Sequence, residues 1–153
     1  MLSKKVRLVR LSDNARRGFS TDLPERHIRF VDQQPLLVLS VASVAQLEAR
    51  IQQKMSVLRF RPNIVVEGTE AHAEDKWQQF SVGGLVFVPL KPCTRCKITT
   101  VHPLTGEVGE EPLRALAEYR KGKKGVEFGF YYAHTGEGQI SLGSQIKLLT
   151  VSL

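Results

Sequence analysis

The sequence predicts a mostly β fold with few helices, of class β or α+β, in which an antiparallel, barrel-like sheet carries about two peripheral helices. Several short runs of apolar and β-branched residues are separated by turns that contain glycine or proline, which is typical of strands. Only two segments have apolar residues at helical spacing. The segments do not follow the βαβ alternation of parallel sheets, so the pattern favours antiparallel pairing.

Strands are expected where apolar or β-branched residues form short runs or, as in residues 4–11, alternate imperfectly with charged ones. These ranges are 4–11, 35–40, 64–66, 84–90, 97–101, 128–132, 139–142 and 145–151. Between the first two, residues 12–29 lose all periodicity and predict a long loop. Gly83 and Gly84 predict a tight turn, and Trp77 is expected to anchor the core.

Two helices are expected. The first covers residues 43–55, because Ser43 and Gln46 form a capping box at its start. The second covers residues 112–120, because Pro112 is favoured at the first position of a helix. The apolar residues at helical spacing are Val44, Leu47 and Ile51 in the first helix and Leu113, Leu116 and Tyr119 in the second.

Length and composition limit what the chain can be. With 153 residues, of which 42% are hydrophobic and 24% charged, it has the size and composition of one globular domain. No apolar run approaches the roughly 20 residues that cross a bilayer. The basic N-terminus lacks the apolar region and cleavage site of a signal peptide. We therefore expect a cytoplasmic protein that does not bind a membrane.

The net charge of +7 raises the question of nucleic-acid binding. The 22 basic residues are spread along the chain, and the densest clusters are Lys121-Gly122-Lys123-Lys124 and Arg59-Phe60-Arg61. The sequence has no RNA-binding aromatic signature and no DNA-reading helix. The excess charge therefore favours a basic surface, or a basic pocket for an anionic cofactor or substrate, over nucleic-acid binding.

The two cysteines of the chain lie close together in the segment Lys91-Pro92-Cys93-Thr94-Arg95-Cys96-Lys97. Three basic residues surround the thiols with positive charge, which favours the thiolate. One interpretation is a single thiolate that serves as a nucleophile or as a ligand to a soft or high-valent metal.

Other interpretations of the C-x-x-C pair make different demands. A thioredoxin-type redox pair needs its first cysteine at the start of a helix, whereas the strand-like run 97–101 follows this pair. A structural zinc site needs four ligands, and the chain adds four histidines without a second ligand pair. A disulfide between Cys93 and Cys96, or two inert buried thiols, also agrees with the composition.

Arg59 and Arg61 flank Phe60 just before Pro62. In an extended segment, alternate side chains lie on the same side, so both guanidinium groups would share one face. Two guanidinium groups that point the same way suit an anionic ligand rich in oxygen. An ordinary pair of surface arginines fits the same pattern.

Several motifs follow one another over residues 28–121. They are Phe30-x-Asp32, the strand Pro35-Leu-Leu-Val-Leu-Ser40, Arg59-Phe60-Arg61-Pro62-Asn63-Ile64-Val65, Ala73-Glu74-Asp75-x-Trp77, Pro92-Cys93-x-Arg95-Cys96-x-x-Thr99-Thr100, Pro103-x-Thr105-Gly106 and Pro112-Leu113-x-x-Leu116-x-x-Tyr119-Arg120. In this order they resemble a MOSC domain, and within that family the C-terminal domain of the amidoxime-reducing component and YcbX-type branch.

The resemblance implies a β-barrel that binds molybdenum cofactor, a molybdopterin with a terminal phosphate. It implies that Cys96 is the molybdenum ligand and the catalytic cysteine, and that Arg61 and Asn63 contact the pterin or its phosphate. The further positions expected to bind the cofactor are Arg59, Ser40, Arg95 and Thr99. The family is also associated with pyridoxal phosphate binding.

The resemblance leads to two hypotheses about function. The first is an oxidoreductase that reduces N-hydroxylated or N-oxide substrates with electrons from a separate haem or iron–sulfur protein. The second is a non-catalytic module that binds the cofactor or carries sulfur, as at the C-terminus of cofactor sulfurases. In either case we expect one domain, residues 1–153, without the N-terminal domain that precedes it in full-length relatives.

Overall fold

A mixed sheet of seven strands is the main element of the residues that the structure describes. The structure is a computed structural model, and it describes residues 5, 7, 9, 10, 12 and 34–150. The chain divides into two units, Met1–Pro35 and Leu36–Leu153, and every strand and helix found among the described residues belongs to the second unit. The strand and loop expected over residues 4–29 fall mostly outside the described residues.

The strands and helices alternate irregularly along the chain. The strands are Leu36–Ser40 (β1), Ile64–Val66 (β2), Gln79–Val82 (β3), Leu85–Thr94 (β4), Lys121–Gly122 (β5), Gly125–Thr135 (β6) and Lys147–Leu149 (β7). The helices are Val41–Ile51 (α1) and Leu113–Tyr119 (α2), and 3₁₀ turns cover Val57–Phe60, Ala73–Asp75 and Lys97–Thr100. The mostly β class with few helices is thereby confirmed.

The sheet has the order β2-β1-β6-β4-β3-β7, with β5 paired to β6, and it curls into a half-barrel. Long antiparallel strands dominate, but β1 and β2 run parallel, with Val38 opposite Ile64. The expectation that no βαβ unit occurs was therefore wrong, since β1, α1 and β2 form one. The three residues of β2 are too few to show a periodic pattern in the sequence.

Helix α1 begins at Val41 rather than at Ser43, and it ends at Ile51 rather than at residue 55. Ser40 caps it, because the main chain is still extended there and the Ser40 hydroxyl accepts a hydrogen bond from the Ser43 N–H at 3.1 Å. The capping box expected at Ser43 was therefore wrong. Gln52 ends the helix by adopting a left-handed conformation, with φ of 53°.

Other boundaries were predicted with mixed success. The Gly83-Gly84 turn and helix α2 are confirmed. Residues 97–101 do not form a strand, because Lys97–Thr100 is a 3₁₀ turn. Residues 139–142 are not a strand either, and within 145–150 only Lys147–Leu149 pairs with β3.

Two hydrophobic clusters stabilise the sheet and the helices. One contains Val38, Val66, Phe80, Val82, Leu85, Phe87 and Tyr132, and the other contains Leu39, Val44, Leu47, Phe60, Ala115, Leu116 and Phe128. Adjacent residues of β1 thus join different clusters, as expected for a strand buried on both faces. Trp77 packs edge-on against Phe80, at a distance of 5.6 Å between ring centroids.

Gly129 provides a test of how tightly β1 and β6 approach each other. Its φ is +77°, and a Cβ added there would lie 3.0 Å from the carbonyl oxygen of Val38. We expect Gly129→Ala to lower the free energy of unfolding by about 1–2 kcal/mol through backbone strain. Overpacking should add a further loss of about 1–3 kcal/mol. Urea denaturation measures the sum of the two losses in the free energy of unfolding.

The matched control is Gly143→Ala. Gly143 has a similar φ of +80°, but nothing lies within 4 Å of the added Cβ. The control should therefore show the strain component alone. Equal losses of stability in the two variants would contradict a close approach at Gly129.

Candidate functional site

The two cysteines occupy opposite environments at the end of β4. The Cys93 side chain belongs to the protein interior and Cys93 is only 2% exposed, whereas Cys96 is exposed. Both are free thiols. The C-x-x-C spacing therefore places one sulfur in the core and presents the other to solvent, and only Cys96 is accessible to a ligand.

Arg95 lies between the two cysteines and binds three other segments. Its Nη1 donates to the Cys93 sulfur at 2.8 Å, and its Nη2 donates to the Phe60 carbonyl oxygen at 2.8 Å. Its main-chain N–H donates to the Val126 carbonyl oxygen at 2.7 Å. The guanidinium group also lies 5.6 Å from the centroid of the Phe60 ring. Arg95 therefore fixes the position of the cysteine loop relative to Phe60 and β6.

Arg59 and Arg61 do not lie on an extended segment, so the expectation that strand alternation puts them on one face was wrong. Arg59 is part of the 3₁₀ turn, and Arg61 has a left-handed main chain with φ of 54°. The prediction that Pro62 excludes a right-handed helical conformation at Arg61 is confirmed. Such a conformation is strained for a residue other than glycine, and strain of this kind is frequent at functional sites.

The two arginines have different partners. Arg59 Nη1 donates to the Thr99 carbonyl oxygen at 3.1 Å, and its buried Nε has no partner among the described residues. Arg61 is exposed at the surface. The arginine segment and the cysteine loop therefore meet through Thr99, with one guanidinium group engaged and the other facing solvent.

Thr99 holds the main chain of Cys96. Its hydroxyl donates to the Cys96 carbonyl oxygen at 2.9 Å, and its main-chain N–H donates to the same oxygen at 3.2 Å. Thr99 is fully buried. Thr99, which the sequence predicted as a cofactor-binding residue, thus positions Cys96 by hydrogen bonds to its main chain.

Asn63 joins the sheet at the start of β2. Its Oδ1 accepts a hydrogen bond from the Leu37 N–H at 2.8 Å, and its own N–H donates to the Leu37 carbonyl oxygen at 2.9 Å. The side-chain oxygen is therefore used to pair β2 with β1. The amide nitrogen is the group of Asn63 that could contact a ligand.

Ser40 lies in a second, buried network that contains no residue of the cysteine loop. Glu74 Oε1 accepts hydrogen bonds from the Ser40 N–H at 3.1 Å and from the Ser43 hydroxyl at 2.8 Å. The Ser43 hydroxyl accepts from the His72 N–H at 2.8 Å. Ser40 is completely buried, so its described contacts are with this network and the start of α1.

Glu74, Ser43 and His72 were not predicted as site residues. Glu74 is fully buried, and its Oε2 has no partner among residues 34–150. The Tyr132 hydroxyl donates to the Glu74 carbonyl oxygen at 2.8 Å. Burial raises the pKa of Tyr132, and the charges of Glu74 and Asp75 raise it further. The only sequence signal for this network was the motif Ala73-Glu74-Asp75-x-Trp77.

No three histidine, cysteine, aspartate or glutamate side chains converge on a possible metal position within the described residues. In the same part of the chain, neither helix is long and apolar enough to cross a membrane.

Comparison with known proteins decides the family. The family model of the MOSC domain matches residues 25–147. This chain belongs to the MOSC domain family. A solved structure, YiiM from Geobacillus stearothermophilus, supports the same fold with a TM-score of 0.57 at 17% identity, over 76% of this chain and 55% of that one.

Curated relatives of this MOSC domain include amidoxime-reducing components and a molybdenum cofactor sulfurase. It is 37% identical to human mitochondrial amidoxime-reducing component 1 over 136 residues, which cover 82% of this chain and 40% of that protein. It is 33% identical to tomato (Solanum lycopersicum) molybdenum cofactor sulfurase over 132 residues, which cover 78% of this chain and 16% of that protein. The chain thus spans less than half the length of these relatives.

Arg95 can be tested by a substitution that retains its charge. A lysine ends in one nitrogen, whereas Arg95 reaches the Cys93 sulfur and the Phe60 carbonyl oxygen with two separate nitrogens of a planar fork. We expect Arg95→Lys to lower the free energy of unfolding by about 1–3 kcal/mol, since a buried acceptor loses its partner. Arg61→Lys, at an exposed position, should change it by less than about 0.5 kcal/mol. Equal effects in urea denaturation would contradict the bridging role of Arg95.

We expect His72 to make the stability of this MOSC domain sensitive to acid. Burial lowers its pKa, and the nearby Arg120 lowers it further, while Asp75 and Glu74 act in the opposite direction. The unfolded chain therefore binds the proton first as the pH falls below the ordinary value of 6.5, so this contribution to stability is present above pH 6.5 and is lost below it.

We expect His72→Asn to reduce the loss of stability between pH 7 and pH 5, measured by urea denaturation at several pH values. Asparagine suits this position because the φ of His72 is 63°. His134→Asn, at an exposed histidine, is the control and should decline with acid as the unmodified protein does. The interpretation would be wrong if both variants declined equally.

Proposed function

We propose that this chain binds molybdenum cofactor with Cys96 as the metal ligand, and that it is part of an oxidoreductase acting on N-hydroxylated or N-oxide substrates. The observation that carries the proposal is the exposed thiol of Cys96, connected through Thr99 to Arg59 and the neighbouring Arg61. The names of the amidoxime-reducing relatives support the substrate class.

The residues present suit the chemistry of the cofactor. A thiolate is a suitable protein ligand for a soft, sulfur-bound metal centre. Cys96 can supply one, whereas the Cys93 sulfur is buried and bonded to Arg95. Two buried nitrogens, Nε of Arg59 and Nε of Arg95, have no partner within the described residues. Unpaired buried donors of this kind are rare without a ligand or water to satisfy them.

Each site residue has a proposed task. Arg61 and Arg59 would bind the phosphate, because guanidinium groups form strong, paired hydrogen bonds to phosphate oxygens. The amide nitrogen of Asn63 would donate to the pterin or phosphate. Arg95 and Thr99 would orient the Cys96 thiol from behind.

When bound, the cofactor would supply the electron pair that removes oxygen from the substrate, and the protein would supply binding and orientation. Cys96 would hold the metal, and the surrounding guanidinium groups would offset the negative charge of the cofactor. Ser40, through Glu74 and Ser43, would keep the end of β1 and the start of α1 in place. Electrons would come from a separate electron-transfer protein.

The likeness to a molybdenum cofactor sulfurase favours a second candidate function. In that role Cys96 would carry a transferable sulfur atom, or the chain would bind the cofactor without turnover.

Pyridoxal phosphate binding, a cytoplasmic location and a single domain over residues 1–153 stay predictions. The human relative is named as mitochondrial.

The molybdenum and pterin content of the protein, purified from cells that make the cofactor, tests the ligand. We expect stoichiometric molybdenum in the unmodified protein and at least about a tenfold loss in Cys96→Ala, since even residues that only support a ligand contribute about 10–100-fold to metal affinity. Cys93→Ser, which keeps an acceptor for Arg95, is the matched control and should retain the metal.

Retention of molybdenum in Cys96→Ala would refute the assignment of the ligand. If the metal is lost in Cys96→Ala as expected, the unmodified protein loaded with cofactor should reduce an aromatic amidoxime when given a chemical reductant. Cyanide-releasable sulfur on Cys96, together with no turnover of the amidoxime, would instead favour the sulfur-carrier function.

A further inference from the structure

Three segments that meet at the cysteine loop share a positive charge. The Arg95 N–H binds the Val126 carbonyl oxygen at 2.7 Å, and Arg59 Nη1 binds the Thr99 carbonyl oxygen at 3.1 Å. The segments, residues 55–66, 94–101 and 119–126, contain eight basic residues and no acidic residue. The eight are Arg59, Arg61, Arg95, Lys97, Arg120, Lys121, Lys123 and Lys124.

The lysine hairpin, Lys121 to Gly125, is the most exposed part of this charge. Gly122 pairs with Gly125, so Lys123 and Lys124 lie at the tip of the turn between β5 and β6. All three lysines of the hairpin are exposed. The Glu127 carboxylate lies against Gly122 at the base, so the lysines outnumber it.

The hairpin lies next to the proposed metal ligand. Thr94 pairs with Glu127 in the sheet, and its Cγ2 would lie 3.9 Å from a Cβ added to Gly125. Cys96 follows two residues later. The lysine hairpin and the exposed thiol therefore belong to the same end of the β4–β6 pair.

Apolar side chains accompany the basic ones. Leu58 is 64% exposed and Ile98 is 55% exposed, and they adjoin Arg59 and Thr99, which bind each other. Exposed apolar groups bordered by charges of one sign are typical of protein–protein interfaces that form by electrostatic steering.

We propose that this surface, formed by the lysine hairpin with Lys97, Leu58 and Ile98, docks an acidic face of a separate electron-donor protein. This inference rests on the proposed function, which requires a donor. Charge complementarity selects the partner. Arg120 forms an ion pair with Asp75, but the exposed lysines outnumber the nearby Glu127 carboxylate and favour a negatively charged surface. They are Lys97, Lys121, Lys123 and Lys124.

A small anion or a nucleic acid fits this surface less well. Two guanidinium groups are enough to bind one phosphate. The lysines at the hairpin tip lie outside the contacts that join Arg59 to the cysteine loop, so a single small anion would leave them unused. Nucleic-acid binding of single strands uses exposed aromatic rings. In these segments Phe60 is buried, and the Tyr119 ring lies 4.1 Å below the Arg50 guanidinium.

The test measures binding of an acidic [2Fe–2S] ferredoxin by isothermal titration at low salt, with the full chain in its cofactor-free and cofactor-loaded forms. We expect Lys124→Glu to weaken binding about threefold and the double variant K123E/K124E about tenfold or more, since charge reversal removes steering. Raising the salt from 20 to 200 mM should weaken binding of ferredoxin by the unmodified protein by about threefold to tenfold, because the screening length shortens from about 20 to about 7 Å.

Lys147→Glu is the matched control. Lys147 is exposed on β7, which is separated from β6 by β3 and β4 in the sheet order. It should weaken ferredoxin binding less than about twofold. Equal losses in Lys124→Glu and Lys147→Glu, or binding that does not respond to salt, would overturn the proposal.

Two further outcomes separate this proposal from its alternatives. If K123E/K124E loses affinity for a single-stranded RNA oligonucleotide but not for ferredoxin, the surface binds nucleic acid and the proposal is overturned. If the protein contains no molybdenum but binds ferredoxin with the expected variant and salt effects, the docking surface is supported and only the proposed redox function fails.

Discussion

The geometry of the candidate site depends on the Arg95 guanidinium. It binds the Cys93 sulfur on one side and the Phe60 carbonyl oxygen on the other, while the main chain of Arg95 is bonded to Val126. A planar group with several fixed donors can join a strand end, a 3₁₀ turn and a neighbouring strand, whereas a single ammonium group cannot. Cys93 is buried and hydrogen-bonded to Arg95, whereas Cys96 lies beyond the end of β4 and is exposed.

Around this contact, some polar groups bind the backbone of the chain itself, whereas others are exposed or have no partner among the described residues. Thr99 and Asn63 use their oxygen atoms to fix backbone positions, at the Cys96 carbonyl and at Leu37. Arg61 is exposed, and Arg59 retains an unpartnered Nε within the described residues. The second network, centred on Glu74, secures the junction of β1 and α1. A rigid support of this kind is needed where a ligand must be held in one orientation.

The proposed docking surface lies in the same region. The basic segments meet because β4 and β6 pair over most of their length, which brings the lysine hairpin beside the cysteine loop. In the sequence, the hairpin and the Arg59-Phe60-Arg61 cluster are separated by about sixty residues and read as scattered surface charge. Their proximity turns scattered charge into a surface with a preference for an acidic partner.

The sequence alone determined the fold class, the family, strand β1, helix α2 and the glycine turn. These features depend on local patterns, such as uninterrupted apolar runs, or on an ordered set of motifs. Tertiary structure decided that Lys97–Thr100 is a turn, that β2 is parallel to β1, that Ser40 rather than Ser43 caps α1, and which cysteine is buried. Contacts between residues distant in the chain decided the pairing of β1 with β2, and packing decided which cysteine is buried. The Lys97–Thr100 turn and the Ser40 cap rest on local hydrogen bonds that intrinsic propensities are too weak to specify.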